Sequence, residues 1–312
     1  MSARTGVVLA FVGVSVIWGS TYLGIRVALE GFPPFLIGAL RFLTAGAALY
    51  AFLRVRGDAA PTRKEWGSAA ITGALYFVVG NGLVNLAERS VSSGLASVLV
   101  ATMPLWATLF ERFAGGRIAR LEWAGLALGF LGVVVLNLGG ELRASGMGAV
   151  WGLVAPMGWA LGTVVSKRVT LPKGPMCTAA QMLCGGAALS LVSRLAGEHV
   201  VDVPSSRALV AVAYLAVFGS LVGFSCYVYL LGRTSTVVAT SYAYVNPVIA
   251  LVLGVALAGE RIGSVSALGA AIVVGAVLML TRGKARKVEP VAPLLAAQCL
   301  VGSSGNASHA SP

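Results

Sequence analysis

Residues 7–27 read VVLAFVGVSVIWGSTYLGIRV, an apolar run whose one charge, Arg26, stands at its far end. About twenty such residues form a helix long enough to cross the ~30 Å hydrocarbon core of a bilayer. The run continues through Trp18 and Tyr22 without a small-residue cleavage site, which indicates a retained helix rather than a signal peptide. Comparable stretches follow at roughly 35–53, 67–87, 92–112, 121–139, 147–166, 176–196, 208–230, 237–257 and 263–281. We therefore predict an all-α membrane protein with ten transmembrane helices.

The composition agrees with this prediction and excludes an ordinary soluble domain. Charged residues make up 11% of the chain and hydrophobic residues 57%, whereas soluble domains carry about 25% charged residues. The net charge of +12 first suggests a nucleic-acid partner, but the basic residues stand in short loops between the spans. Most of them fall on one side of the ten-helix alternation, which predicts both termini in the cytoplasm and no nucleic-acid partner.

The chain also aligns loosely with itself. Pro34 and Pro175 are 141 residues apart, and Pro104 and Pro247 are 143 residues apart. Each of the two halves, 1–140 and 146–282, holds five predicted spans. Because five is odd, the second half would enter the membrane from the opposite face, which makes the halves inverted repeats of the kind that secondary transporters use. The Ser-, Gly- and Ala-rich segment 283–312 is predicted to be a disordered cytoplasmic tail.

Short motifs stand within these spans or at their ends: Trp18-Gly19-Ser20-Thr21, Arg41-Phe42, Ala87-Glu88-Arg89, Asn246-Pro247 and Gly259-Glu260-Arg261. In these motifs the chain resembles the EamA-type transporters of the drug/metabolite transporter superfamily. The resemblance implies a basket of helices around a central cavity lined by helices 1, 3, 4, 6, 8 and 9. It also implies a place in the bacterial inner membrane, where members export metabolites, amino acids or drugs. One departure is Gly116, which stands where the second half has Glu260.

Polar side chains inside the spans are the candidates for substrate contact, because an unsatisfied polar group in a bilayer is costly. Asn81 and Asn85 are four residues apart, as are Tyr242 and Asn246, so each pair shares a helix face. Asparagine both donates and accepts, which suits a zwitterionic or neutral polar ligand; helix–helix hydrogen bonding is the alternative. Arg41 is either an anion-binding or gating residue, or a structural arginine that binds backbone carbonyls.

Aromatic side chains at membrane depth favour an amphipathic or aromatic solute through ring stacking, although anchoring or core packing is the alternative role. Pro104 and Pro247 interrupt their helices and are predicted hinges. The predicted substrate-binding set is Trp18, Thr21, Tyr76, Asn81, Asn85, Met103, Trp106, Trp159, Thr163, Tyr214, Tyr227, Tyr242 and Asn246.

The sequence holds no phosphate-binding GxxxxGK[ST], no HExxH and no CxxC. We therefore expect that the protein is not an enzyme, does not hydrolyse ATP and binds no metal or cofactor. Acidic residues such as Glu88 and Glu111 stand at helix ends, which predicts downhill transport or exchange without a proton relay. The prediction is a plasma-membrane secondary transporter that exports small metabolites such as amino acids, or amphipathic drug-like compounds, by alternating access. Alternatives are a nucleotide-sugar or phosphorylated-sugar exchanger and a membrane-embedded transferase. We expect a small-molecule substrate, a lipid bilayer and a monomer, with a dimer as the open alternative.

Overall fold

The computed structural model describes residues 3–91, 96, 99–138, 146–249 and 264–282, and within these ranges it is helical with no β-strand. The helical segments, numbered in chain order, are α1 (Ala3–Ala28), α2 (Pro34–Val55), α3 (Arg63–Ala87), α4 (Met103–Phe113), α5 (Arg120–Asn137), α6 (Gly146–Ser166), α7 (Pro175–Leu195), α8 (Ser206–Leu231), α9 (Thr236–Thr240, with a further helical run at 242–249) and α10 (Ser264–Arg282).

Six of the described helices, namely α1, α2, α3, α6, α7 and α8, are long and apolar enough to cross a membrane. The apolar part of α10, Ala267–Leu280, is shorter. The prediction of an all-helical membrane protein is therefore confirmed, while the count of ten spans and their inverted arrangement remain predictions. Parts of the predicted spans 92–112, 121–139 and 237–257, and the whole tail 283–312, lie outside the described residues.

Local sequence explains where the central helices begin. α2 and α7 each carry proline at the first helical position, where the fixed backbone angle suits the first turn and no donor is lost. The Glu198 carboxylate, beyond the end of α7, accepts hydrogen bonds from the backbone nitrogens of Phe35 (3.1 Å) and Leu36 (2.9 Å). A carboxylate at a helix N-terminus satisfies orphan donors and meets the positive end of the dipole. Glu198 thus ties the second half of the chain to α2.

Two of the long helices change their winding in the middle. In α3 the segment Ala74–Gly82 is π-helical, and in α8 the segment Leu215–Val222 is π-helical. The two segments begin 141 residues apart (215 minus 74), which is the separation of Pro34 and Pro175. π-Helical turns are rare in proteins, and those that occur are often found at functional sites. The apolar pattern of the sequence did not predict these π-helical segments, because an apolar stretch has the same composition whether it winds as an α-helix or as a π-helix.

Matching helices of the two halves pack against each other: α2 lies along α7, and α5 lies along α10. The α2–α7 contact is reciprocal. A Cβ on Gly46 would stand 3.0 Å from the backbone nitrogen of Leu183, and a Cβ on Gly186 would stand 2.9 Å from that of Leu43. Both positions therefore need glycine so that the two backbones can approach this closely.

Candidate functional site

A central cavity of about 70 Å³ lies among α1, α2, α3, α6 and the starts of α4 and α9. That volume holds roughly five water molecules at ~10–15 Å³ each. None of the described residues that line it is acidic. They are Trp18, Thr21, Tyr22, Ile25, Arg41, Gly80, Asn81, Val84, Val100, Met103, Ala155, Pro156, Trp159, Tyr242 and Asn246.

Arg41 is the charged side chain in this wall. It is 2% exposed, its Nε donates to Ser220 Oγ at 2.9 Å and its Nη1 donates to Asn81 Oδ1 at 3.4 Å. Its guanidinium carbon also stands 4.7 Å from the centre of the Phe42 ring. Within the described residues no carboxylate pairs with it. The structure thus brings to the cavity α2, one of the four helices that the resemblance had left outside it. It places no residue of α8 among the described residues that line the cavity, although the resemblance had included that helix; α8 instead supplies Ser220 from behind Arg41.

Six packed rings close one side of the cavity, and we call them the aromatic layer: Trp18, Tyr76, Trp159, Phe224, Tyr227 and Tyr242. Trp18 meets Trp159 edge-on at 5.2 Å and Tyr242 at 4.8 Å, and Tyr76 meets Trp159 at 5.0 Å. Edge-to-face pairs at this spacing each contribute about 0.5–1.5 kcal/mol beyond the area they bury. The Trp18 Nε1–H donates to the carbonyl of Gly219 at 2.8 Å. The buried Trp159 Nε1–H has no hydrogen-bond partner among the described residues.

A second, smaller cavity of about 30 Å³ lies on the other side of the aromatic layer, which meets it at Tyr76. Ser166 and Lys167 at the end of α6 line it, together with Cys177 and Gly232. Gly158 of α6 packs on Val79 and Gly162 packs on Leu75, so α6 runs antiparallel to α3. The end of α6 therefore lies at the opposite end of the bundle from Glu88.

Charged and hydroxyl side chains join the two halves of the chain beside this smaller cavity, and we call them the latch. Arg168 Nη2 donates to Glu111 Oε1 at 3.0 Å, and Thr236 Oγ1 donates to Glu111 Oε2 at 3.1 Å. Lys167 Nζ donates to Thr236 Oγ1 at 2.7 Å. Glu111 belongs to the first half and its partners belong to the second, so the latch holds this end of the bundle closed.

The opposite end opens into a vestibule of about 880 Å³ whose walls include Arg26, Glu30, Glu198 and His199. Glu88 lies in this wall, one residue past the apolar span of α3. It is 4% exposed, and neither carboxylate oxygen has a hydrogen-bond partner among the described residues. Burial raises the pKa of the Glu88 carboxyl well above its ordinary value, and the charge of Arg26 opposes that rise.

Seven of the residues predicted to contact substrate line the central cavity: Trp18, Thr21, Asn81, Met103, Trp159, Tyr242 and Asn246. With its amide nitrogen facing two carbonyls, Asn246 donates to Tyr242 O at 3.1 Å and Ser15 O at 3.2 Å. The hinge candidates Pro104 and Pro247 are buried next to Met103 and Asn246.

The other six predicted residues lie outside the cavity wall. Tyr76 and Tyr227 belong to the aromatic layer, and Thr163 Oγ1 bonds to the Tyr227 hydroxyl. Asn85 Nδ2 donates to Pro34 O at 3.0 Å, which is the helix–helix bond of the packing alternative. The remaining two are partly buried: Trp106 stacks on Phe110, and the Tyr214 hydroxyl lies 2.6 Å from Ser20 Oγ.

Sequence reasoning missed several cavity residues. Tyr22 and Ile25 follow Trp18 at helical spacing on one face of α1, so the same i, i+4, i+7 pattern would have found them. Pro156 stands inside α6, where a proline removes a backbone hydrogen bond of the helix, so the criterion that selected Pro104 and Pro247 in the sequence would also have selected it. No sequence signal distinguishes Val84 or Val100 from the other apolar residues of their helices.

Comparison with known proteins gives a consistent picture. The model of the EamA-like transporter family matches residues 4–138 and again residues 146–282. The inner membrane transporter YedA of Escherichia coli K12 is 43% identical over 276 residues, which cover 88% of this chain and 90% of YedA. The transporter YdfC of Bacillus subtilis is 28% identical, covering 84% and 86%.

A chloroplastic WAT1-related protein of Arabidopsis thaliana is 27% identical, covering 84% of this chain and 66% of that protein. A crystal structure of a protein with 22% identity superposes with a TM-score of 0.73, over 90% of this chain and 98% of the other. At that identity, the superposition supports the fold alone.

Proposed function

The chain belongs to the EamA-like transporter family, and on that basis we propose that it exports small amphipathic metabolites, such as amino acids, through its central cavity by alternating access. The family and its relatives indicate a membrane transporter rather than an enzyme. The substrate class, the direction and the mechanism are our proposal.

The observation that carries the proposal is the different state of the two ends of the bundle. A vestibule of about 880 Å³ opens at the Glu88 end, while the latch closes the Glu111 end. Between them lie the central cavity, the aromatic layer and the smaller cavity, in that order. A solute path that is wide at one end and bonded shut at the other is the arrangement that one state of an alternating-access cycle requires.

The reciprocal α2–α7 contact supports a rocking of one half against the other. Gly46 meets Leu183 as Gly186 meets Leu43, which is the self-complementary pattern of a twofold relation. An inverted repeat would let the same contact serve both the outward-facing and the inward-facing state. We assign the latch end to the cytoplasm and the vestibule to the outside, because the basic loop residues concentrate on the latch side.

The chemistry of the cavity wall favours small amphipathic solutes. Trp18, Trp159 and Tyr242 offer ring faces, and Asn81 and Asn246 offer amide groups. A nucleotide sugar or a sugar phosphate carries two or more negative charges and needs several cationic side chains, whereas Arg41 is the one basic residue among those that line the cavity. The absence of an acidic residue from the same wall favours facilitated export or exchange down the solute gradient that the cell supplies.

The direct test is flux from proteoliposomes that contain the purified full-length protein. Vesicles are preloaded with radiolabelled amino acids or with cationic dyes, and release is followed with and without an imposed pH gradient. We expect release of at least one amphipathic solute to equilibrium, with no concentration against its gradient. Empty liposomes provide the control for passive leak. Failure of every solute class to exceed that leak would overturn the proposal, and chemical change of a released solute would indicate an enzyme.

A further inference from the structure

We propose that Arg41 is the carboxylate-binding residue of the central cavity, so that the transported solute is an organic monocarboxylate with an aromatic or branched apolar body. This inference rests on the proposed function and names the substrate class of the same cavity. The evidence consists of the unmet hydrogen-bonding capacity of the Arg41 guanidinium and the apolar wall around it.

The first step is the charge of Arg41. Its described hydrogen bonds go to two neutral oxygens, Ser220 Oγ and Asn81 Oδ1, although a guanidinium carries five N–H donors. A buried cation without a counter-charge is strongly unfavourable, and no acidic residue stands among those that line the cavity. A bound anion would supply both the missing charge and the missing acceptors.

The backbone around the guanidinium is shaped to admit it. A Cβ on Gly219 would lie 2.7 Å from Arg41 Nη2, so any larger residue would displace the guanidinium. Gly219 and Ser220 both belong to the π-helical segment of α8. The widened turn therefore presents Ser220 Oγ to Nε and leaves Nη2 without a hydrogen-bond acceptor among the described residues.

The second step is which donors a bound solute can reach. The Trp18 N–H donates to the Gly219 carbonyl, and the Trp159 Nε1–H is buried beside the Tyr227 hydroxyl, which lies outside the cavity wall. Of these three side chains, Arg41 is therefore the one with donors left for a solute. A carboxylate, with about four acceptor positions and one charge, matches its guanidinium.

The third step is the remainder of the wall. Ile25, Val84, Val100 and Met103 are apolar, and Trp18 and Tyr242 are aromatic. One cation matches one negative charge, which disfavours phosphate dianions, and a cationic solute would meet Arg41 without any acidic partner. The wall therefore selects for a single carboxylate on an apolar or aromatic body, with no requirement for an ammonium group.

The test is calorimetric binding to the detergent-purified full chain with three probes of similar size. We expect phenylacetate to bind, its uncharged amide phenylacetamide to bind roughly tenfold more weakly or worse, and the cation phenethylamine to give no binding heat. Arg41→Gln should remove the preference for the acid over the amide, and Arg41→Lys should retain part of it. The exposed Arg63, at the start of α3, provides the matched control, since Arg63→Gln should leave the preference unchanged.

Should Arg41→Gln fail to fold, Ser220→Ala removes the hydrogen bond that orients the Arg41 Nε and should weaken acid binding several-fold with little effect on the amide. Equal binding of acid and amide by the wild-type protein, or an acid preference that survives Arg41→Gln, would overturn the inference. Flux of neutral or cationic solutes without acid binding would overturn it while leaving the proposed function intact. Acid binding with no flux of any solute would overturn the proposed function instead.

Discussion

Glu111→Gln should release the latch and expose the path behind it. The substitution removes an ion pair whose side chains are 38% (Arg168) and 21% (Glu111) exposed, so the pair contributes about 0.5–1 kcal/mol. It also turns the Thr236–carboxylate hydrogen bond into a neutral one, which costs about 1 kcal/mol more. A total of about 1–2 kcal/mol raises the open fraction of the latch roughly 5- to 30-fold.

The native thiol of Cys177 provides the readout, because it is buried and lines the smaller cavity behind the latch. In a chain whose other cysteines are replaced by serine, the rate of Cys177 modification by a hydrophilic thiol reagent should follow the open fraction. We expect Glu111→Gln to accelerate modification roughly 5- to 30-fold. Adding Arg168→Gln should change the rate little further, since partners in one interaction are not additive.

The matched control is Glu122→Gln. Glu122 is an acidic residue near the same end of the bundle, and its carboxylate accepts from the backbone nitrogen of Ala119 within its own helix start. It makes no bond between the halves, so its substitution should leave Cys177 modification within twofold of the parent rate. If the modification rate in Glu111→Gln matched that of this control, the latch reasoning would be wrong.

Three further predictions follow from the site. Asn81→Leu should cut flux with only a small loss of thermal stability, because Asn81 makes a single long hydrogen bond, to Arg41 at 3.4 Å. Asn246→Leu should lower both more strongly, because Asn246 bonds to Ser15 and Tyr242; normal flux in both variants would remove the pair from the site. Reporter fusions after residues 60, 115, 172 and 285 should be cytoplasmic and those near 143 and 200 external, and a cytoplasmic signal near 200 would contradict the inverted arrangement. Because burial raises the pKa of Glu88, the stability of its neutral form is fully present below the ordinary value of 4.5 and is lost as pH rises through the raised pKa. Glu88→Gln should therefore flatten the fall of Tm between pH 4.5 and the raised pKa, and an unchanged profile would contradict the burial of a neutral Glu88.

The helical membrane fold could be predicted because the hydropathy of a segment reflects whether it lies in the bilayer. The apolar run that ends near Arg26 is long enough to identify a span by itself. The cavity could be predicted only in part. Asn81 and Asn85 are both recognisable in the sequence as polar residues of an apolar helix, yet of the two only Asn81 lines the cavity. The i, i+4 rule places both on one face, but the π-helical turn ending at Gly82 lies between them and changes that relation.

Arg41 shows a second limit of sequence reasoning. A charge on helix 2 is visible at once, but whether it faces lipid, backbone carbonyls or the cavity depends on which helices pack against it. That answer depends on Ser220 and Gly219, about 180 residues further along the chain. Glu88 and Glu111 show the same limit. Both stand at helix ends in sequence, yet Glu88 is buried without a hydrogen-bond partner in the part of the chain that the structure describes, whereas Glu111 joins the two halves.

The two π-helical segments bear on how the two halves of the chain arose. A π turn needs one residue more than the α turn it replaces, and Ala74–Gly82 and Leu215–Val222 stand at the same place in the two halves. One insertion in a single ancestral half, copied when that half was duplicated, accounts for both. The side chains have since diverged: at a spacing of 141, Asn81 corresponds to Val222 and Ser220 to Val79. The irregular backbone is common to both halves, but the side chains on it serve different purposes. Asn81 of the first half lines the cavity, and Ser220 of the second half binds Arg41.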